Sequence, residues 1–227
     1  MFEVKKDPKK IFIAATGQGW QSLNPNTTAT LYCLNDYVKT EKYGIKPDRL
    51  FIMDVLDEKP QVVQGLDNLG DVISRINALK VPFVAPYKYA EIPLSEAFPL
   101  EECAERFGMP YYSNTICYMI AYALLQEPEE IELYGVNQAG SHEYTEERGA
   151  VEFWLGMASG MGVKVTVNGK QSQLLRHKGR YGGNILYGYL QTFQQYQEHK
   201  KRFGEPEVYR LLDPMRNLKE NVRRTIK

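Results

Sequence analysis

Six short runs of β-branched, aromatic and other apolar residues recur along this chain with helical patterns or polar turns between them. That alternation restricts the fold more than any other feature. The runs are Ile11–Thr16, Thr30–Leu34, Leu50–Asp54, Val81–Ala85, Ile131–Tyr134 and Val163–Val167. Most are nearly continuous in apolar residues, as strands covered on both faces must be. Strands that alternate with helices pair in parallel, because a parallel neighbour needs a crossover long enough to hold a helix. The expectation is an α/β fold: a Rossmann-like, mostly parallel sheet with helices on both faces.

The intervening segments fit. Asp67–Leu79 carries Leu69, Val72, Ile73, Ile76 and Leu79 as a helical stripe. A second helix starts at Ser113 or Asn114, either of which can cap it, and runs to Leu125. A third begins near Thr145, presents Val151, Trp154, Leu155 and Ala158 at helical spacing, and ends at Gly160 and Gly162. The last forty or so residues change character: Tyr187–Phe203 and Pro206–Lys227 read as two polar helices joined at Gly204-Glu205-Pro206. The expected organisation is a nucleotide-binding domain over residues 1–186 and a C-terminal helical arm over 187–227. Such an arm packs on its own domain or on a second subunit, which makes a homo-oligomer one expectation.

Charge removes some function classes. The 28 Lys and Arg residues balance the 28 Asp and Glu residues, so no overall basic field holds nucleic acid, and only a local groove could. Cys33, Cys103 and Cys117 lie far apart, form no Cys-x-x-Cys pair and have no ligand-like spacing to a histidine. They read as reduced thiols, which suits a cytoplasmic location. The apolar run that stops at Gly17 is too short for a signal peptide or a membrane span, so no membrane partner is expected.

In an open parallel sheet the strand ends converge on one crevice, and the polar residues that follow the strands are candidate ligands. The first strand runs into Thr16-Gly17-Gln18-Gly19, where glycines permit close backbone approach to a phosphate. Ser22 stands where a third glycine would complete the dinucleotide fingerprint, and no Gly-Lys-Ser/Thr ending is present. A tight turn that needs a positive φ explains the same glycines equally well. Asn35 and Asp36 follow the second strand, and Asp54 ends the third. Ser113, Asn114 and Thr115 open a helix whose first N–H groups suit a phosphate or a base, or simply form its cap.

The richest stretch runs from Gly135-Val136-Asn137 to Ser141-His142-Glu143-Tyr144, with Arg148 and Glu152 beyond. Tyr144, Arg148 and Glu152 share one helical face. Toward the crevice, that face puts Arg148 on an anionic substrate; toward solvent, it is a surface ion pair of little energetic weight. His142 sits where a strand-end loop is expected, and its titration range suits a general base. A loop histidine without a role is the plainer alternative. No metal site is evident: Asp36, Asp54, Glu143 and Glu152 could hold Mg²⁺ through water or substrate phosphates, but no two have a diagnostic spacing.

The order of these motifs resembles a largely phage-borne group of proteins. The residues are Gly17-Gln18-Gly19, Leu34-Asn35-Asp36, Asp48-Arg49-Leu50-Phe51, Tyr112-Ser113-Asn114-Thr115 with Met119-Ile120-Ala121, Glu130 to Asn137, Glu143-Tyr144 with Arg148, and Leu155-Gly156 before Gly162. The group in turn resembles the 6-hydroxymethylpterin pyrophosphokinase MptE-like domain and, more distantly, bacterial CMP-sialic acid-dependent sialyltransferases and flagellin glycosyltransferases. The likeness spans roughly residues 10 to 190. It implies a nucleotide at Gly17, Gln18, Gly19 and at Ser113, Asn114, Thr115, with chemistry at the Gly135–Asn137 loop, in host cytoplasm if the chain is phage-encoded. The related pattern has Asp after Gly-Val; Asn137 can hydrogen-bond but cannot act as a base.

Three functions follow as expectations. The first is a nucleotide-dependent transferase, a glycosyltransferase using a CMP- or UDP-linked sugar, in which His142 or a carboxylate deprotonates the acceptor while Ser113, Asn114 and Tyr144 orient phosphate or sugar, with Glu143 and Arg148 also among the catalytic candidates. The second is a Mg²⁺-dependent pyrophosphokinase-like enzyme acting on a small heterocycle, with Asp36 and Asp54 on the metal. The third is a non-catalytic nucleotide-binding or scaffold protein. The acceptor is not specified by the sequence.

Overall fold

The computed structural model describes residues 6–58, 63, 65–66, 68–108, 111–175 and 193–203. The chain divides into two units, residues 1–174 and 175–227. In the first, the order is β1 (Asp7–Ala14), β2 (Ala29–Leu34), α1 (Thr40–Tyr43), β3 (Arg49–Phe51), α2 (Leu69–Leu79), β4 (Phe83–Ala85), β5 (Ser95–Ala97), α3 (Leu100–Phe107), α4 (Thr115–Leu125), β6 (Glu130–Tyr134), α5 (His142–Gly160) and β7 (Lys164–Val167). Short 3₁₀ turns follow β1 and β2 at Trp20–Ser22 and Asn35–Val38.

Among the described residues seven strands form one sheet, all parallel, in the order β5-β4-β3-β2-β1-β6-β7. The chain builds outward from β1 to one edge, then returns to the other side of β1 to place β6. The direction of winding therefore reverses between β1 and β6, and there the loops leaving the two strands diverge and open a crevice. This is the Rossmann-like sheet that the alternation of runs implies.

Period-two alternation divides the core into two layers. Ile11 and Ile13 of β1, Tyr32, Phe51, Val84, Ile131 and Leu133 point to one face, where α4 and α5 lie. Ala14, Leu31, Cys33, Leu50, Phe83 and Tyr134 point to the other, against α2 and the Tyr37–Tyr43 segment. Helix α4 is apolar nearly all round, with Ile116, Cys117, Met119, Ile120, Ala121, Ala123 and Leu124 buried, because α3 and α5 cover what the sheet does not. All three cysteines are buried and unpaired.

Strand and helix limits shift by a few residues from expectation. The third strand stops at Phe51 rather than Asp54, and the helix expected from Thr145 begins at His142, capped by Ser141 Oγ on the Tyr144 N–H at 3.2 Å. Strand β5 has no apolar run to announce it. It exists because Phe83–Ala85 offers it a parallel edge, and Arg49 of β3 reaches Glu96 of β5 at 2.6 Å. Asp48 does not pair with its neighbour Arg49; it accepts from Lys6 at 3.0 Å and from the Leu31 N–H at 2.8 Å.

In the second unit, α6 (Phe193–Phe203) forms with Lys200, Lys201 and Arg202 in its last turn, where positive charge suits the helix dipole. The helix expected over 206–227, and the start of the arm at 187–192, lie outside the described residues. Among the described residues no helix is long and apolar enough to cross a membrane.

Trp154 joins α5 to the loop before α4. It is fully buried, donates from Nε1 to the Tyr111 carbonyl at 2.7 Å, and stacks on Tyr112 at 5.1 Å, which stacks on Tyr118 at 4.3 Å. Trp154→Ala would leave a cavity and an unmet carbonyl at the junction. We expect it to cost about 3–5 kcal/mol in urea unfolding, with Trp154→Phe losing less.

Candidate functional site

The crevice between the β1 and β6 loops holds a cavity of ≈ 520 Å³, large enough for a nucleotide-sized ligand. Its construction begins at the two glycines that close the strand ends. Past the last strand pair, the Ala15 N–H donates to the Tyr134 carbonyl at 2.8 Å and the Gly17 N–H to the Gly135 carbonyl at 3.0 Å. The two loops thus stay bonded beyond the sheet. A Cβ on Gly17 would meet the Gly135 oxygen at 2.4 Å, and one on Gly135 would meet the Ala15 oxygen at 2.3 Å. Gly135 also has φ +65°. These glycines are required by backbone-to-backbone contact, whereas Gly19, at φ +100°, meets the demand for a positive φ in the turn after β1.

The loop after β6 is pinned from behind. Ser172 Oγ donates to the Val136 carbonyl at 2.8 Å and the Gln173 N–H to the Asn137 carbonyl at 2.8 Å. Held this way, Gln138 takes φ 47°, and Asn35 across the crevice takes φ 38°. Residues other than glycine in this region cost on the order of 1–3 kcal/mol each, with asparagine at the low end, and they gather at ligand sites. Hydrogen-bonding capacity is also unmet here: Asn35 Oδ1, Asn137 Oδ1 and Gln138 Oε1 are buried without a partner among the described residues. Buried acceptors left unpaired are expensive, and here three of them belong to residues lining one cavity.

The opposite wall is the start of α4 and one face of α5. Asn114 caps α4 through Oδ1, which accepts from the Cys117 N–H at 3.2 Å, while its Nδ2 donates to Glu147 Oε2 at 2.9 Å. Ser113 Oγ donates to the Glu147 carbonyl at 3.2 Å. The Thr115 and Ile116 N–H groups fall in the first turn, where no helical carbonyl reaches them, and they give this wall its positive end.

Of the residues singled out from sequence, Gly17, Asn35, Asp54, Ser113, Asn114, Thr115, Asn137, Glu143 and Tyr144 line the cavity. Gln18, Gly19, Asp36, His142 and Arg148 do not. Asp36 is buried among Lys39 Nζ at 3.5 Å and the Tyr43 hydroxyl at 3.4 Å, so the Asp36–Asp54 pair is not assembled at the crevice. His142 is the first residue of α5, not a strand-end loop residue; its side chain is 88% exposed and Nδ1 lies 3.2 Å from Glu146. Arg148 pairs with Glu152 at 3.6 Å away from the cavity lining.

The face of α5 that enters the crevice is Glu143, Tyr144 and Glu147, and Glu147 was missed. A signal for it exists. Counting back from Trp154 along the buried stripe by whole turns lands on Glu147 and then Glu143, whereas Arg148 and Glu152 fall at the edge of that stripe. Burial pushes the Glu147 carboxyl above the usual carboxylate range; the Asn114 N–H opposes the shift and the Glu143 charge adds to it. Among the described lining residues the ionisable groups of strong charge are Asp54, Glu143 and Glu147, with no lysine, arginine or histidine. Among the described residues no cluster of three metal-ligating side chains exists.

Two outcomes follow. Gly17→Ala forces a methyl against the Gly135 carbonyl and the Asn137 amide, and should cost about 1–3 kcal/mol in thermal or urea unfolding. The raised Glu147 value penalises the charged form in the folded state, so its stabilising contribution is present below the unfolded glutamate value of about 4.3 and lost as pH rises through the folded one. Glu147→Gln keeps an acceptor for Asn114. It should therefore melt higher than wild type at neutral pH, with the difference closing in acid.

No protein-family model matches this sequence, and no curated protein matches it. Two solved structures overlay on the chain. One is the sialyltransferase CST-II in complex with CMP, with TM-score 0.49, 14% identity, and coverage of 85% of this chain and 99% of that one. The other is the sialyltransferase CstII from Campylobacter jejuni in complex with the substrate analogue cytidine-5'-monophosphate, with TM-score 0.44, 16% identity and the same coverage.

Proposed function

We propose that this chain is a nucleotide-dependent transferase that seats its nucleotide in the β1–β6 crevice and transfers a sugar carried on CMP or UDP. The observation that carries the reading is where the cavity lies. It opens where the winding of the sheet reverses, between two strand-end loops and facing the N-terminus of α4.

The lining suits that ligand. Thr16, Ser113, Thr115 and Tyr144 offer hydroxyls, and Asn35, Asn137 and Gln138 offer amides whose carbonyls have no partner among the described residues. Ribose hydroxyls and the exocyclic amino or ring N–H of a pyrimidine are the donors such acceptors require. With no cationic side chain among the described lining, the charge that develops on a departing phosphate is met by N–H groups at the start of α4 and by hydroxyls. A bound nucleotide would also repay part of the strain at Asn35 and Gln138.

A pyrophosphokinase would need carboxylates on Mg²⁺, and Asp36, expected to share the metal, lies against Lys39 and Tyr43 outside the cavity lining. The metal-independent transferase is therefore the reading we adopt. A thermal-shift series with CMP, UDP, ATP and GTP, each with Mg²⁺ and with EDTA, tests it. CMP or UDP should raise the melting temperature regardless of metal. A shift confined to ATP with Mg²⁺ returns the pyrophosphokinase, and no shift with any nucleotide removes the transferase.

A further inference from the structure

We infer that the Glu147 carboxylate is the catalytic proton acceptor of this crevice, taking the proton of the hydroxyl group that attacks the nucleotide-bound sugar carbon. The inference rests on the transferase reading and adds to it the residue that moves the proton. The argument begins with where α5 lies. Its buried stripe of Ala150, Val151, Trp154 and Ala158 joins the core layer that α4 occupies, and two turns before Trp154 the same stripe reaches the cavity at Glu147.

One carboxylate oxygen is fixed and the other is available. Oε2 accepts from Asn114 Nδ2 at 2.9 Å, and the Glu147 carbonyl accepts from Ser113 Oγ at 3.2 Å, so both backbone and side chain are held by the loop that caps α4. Oε1 has no hydrogen-bond partner among the described residues. A base oriented by a neighbour through one atom, with the other open to substrate, is the arrangement that proton transfer requires. The other candidates are placed less well. His142 stands in solvent against Glu146, and Glu143, one turn earlier on α5, is exposed.

In the step itself the acceptor oxygen forms a bond to the anomeric carbon. The bond from that carbon to the phosphate oxygen breaks, and its electron pair leaves with the nucleotide. The acceptor proton passes to Glu147 and then to solvent. The charged and titratable neighbours of Glu147 are Glu143 on its own helix, the buried Cys117 thiol on α4, and Asp54 among the other residues that line the cavity. Burial raises the Glu147 value most, the Asn114 hydrogen bond opposes the shift, and the Glu143 charge adds to it, while burial also holds the Cys117 thiol up and neutral.

The test uses the full chain and water as acceptor, with CMP-N-acetylneuraminate and UDP-N-acetylglucosamine as donors, following release of CMP or UDP from about pH 4 to about pH 9. We expect Glu147→Gln to lower kcat about 100-fold or more with KM and the CMP- or UDP-induced melting shift retained. The acidic limb of the wild-type profile should move to lower pH in Glu143→Gln, which removes a like charge. In Asn114→Ser, which keeps a capping oxygen but removes the donor to Glu147, the limb should move to higher pH.

Turnover in Glu147→Gln within about threefold of wild type overturns the assignment, as does an acidic limb that neither neighbour moves. Nucleotide binding with no release from either donor also overturns it, leaving the binding reading intact. Absence of any nucleotide-induced shift in the wild type defeats the binding reading itself.

Discussion

The pairing of β1 with β6 is the constraint on which the rest of this molecule depends. Every other strand is added outward from one of these two, and the site lies where their loops separate. The pairing continues past the strands as two further hydrogen bonds, Ala15 to Tyr134 and Gly17 to Gly135, which fix how far apart the loops can stand. Only glycine allows that approach, because a Cβ at either position would lie within 2.4 Å of a carbonyl oxygen. Beyond those bonds the two chains part, and the space between them is the cavity.

The walls of that cavity are held by contacts made elsewhere. Buried Ser172 and the Gln173 N–H pull back the loop after β6, which leaves Gln138 in a left-handed conformation with its amide carbonyl unpaired. Trp154 anchors α5 to the Tyr111–Tyr112 segment, and through that anchor Glu147 meets Asn114. The site therefore carries strain and an uphill carboxylate that a molecule selected for stability alone would lack. Both are concentrated at one cavity, where perturbed groups of this kind support the proposed site.

Much of the fold was legible from residue patterns. The six apolar runs correspond to β1, β2, β3, β4, β6 and β7, because strands covered on both faces cannot avoid continuous apolar sequence. β5 was not legible: Ser95-Glu96-Ala97 has no strand signature and is recruited by an open edge. Within the site, Gly17, Asn35, Asp54, Ser113, Asn114, Thr115, Asn137, Glu143 and Tyr144 could be picked out as strand-end and helix-start residues. His142 and Arg148 could not be placed correctly, since a three-residue shift in where α5 begins turns a loop histidine into an exposed helical one.

What the sequence by itself determined is the order of most elements, their parallel pairing and the edge of the sheet where the cavity opens. These follow from periodicity and from the length of crossover a parallel strand needs, both local properties of the chain. Only the tertiary structure decided which side chains share the crevice. Asp36 and Asp54 follow successive strands in the same way, yet Lys39 and Tyr43 hold the first in the second layer of the core while the second lines the cavity. Glu147 and Arg148 are adjacent, yet one meets Asn114 and the other meets Glu152. A helix turns 100° per residue, so the angle at which α5 packs, set by Trp154 far along it, selects the residue that faces the cavity.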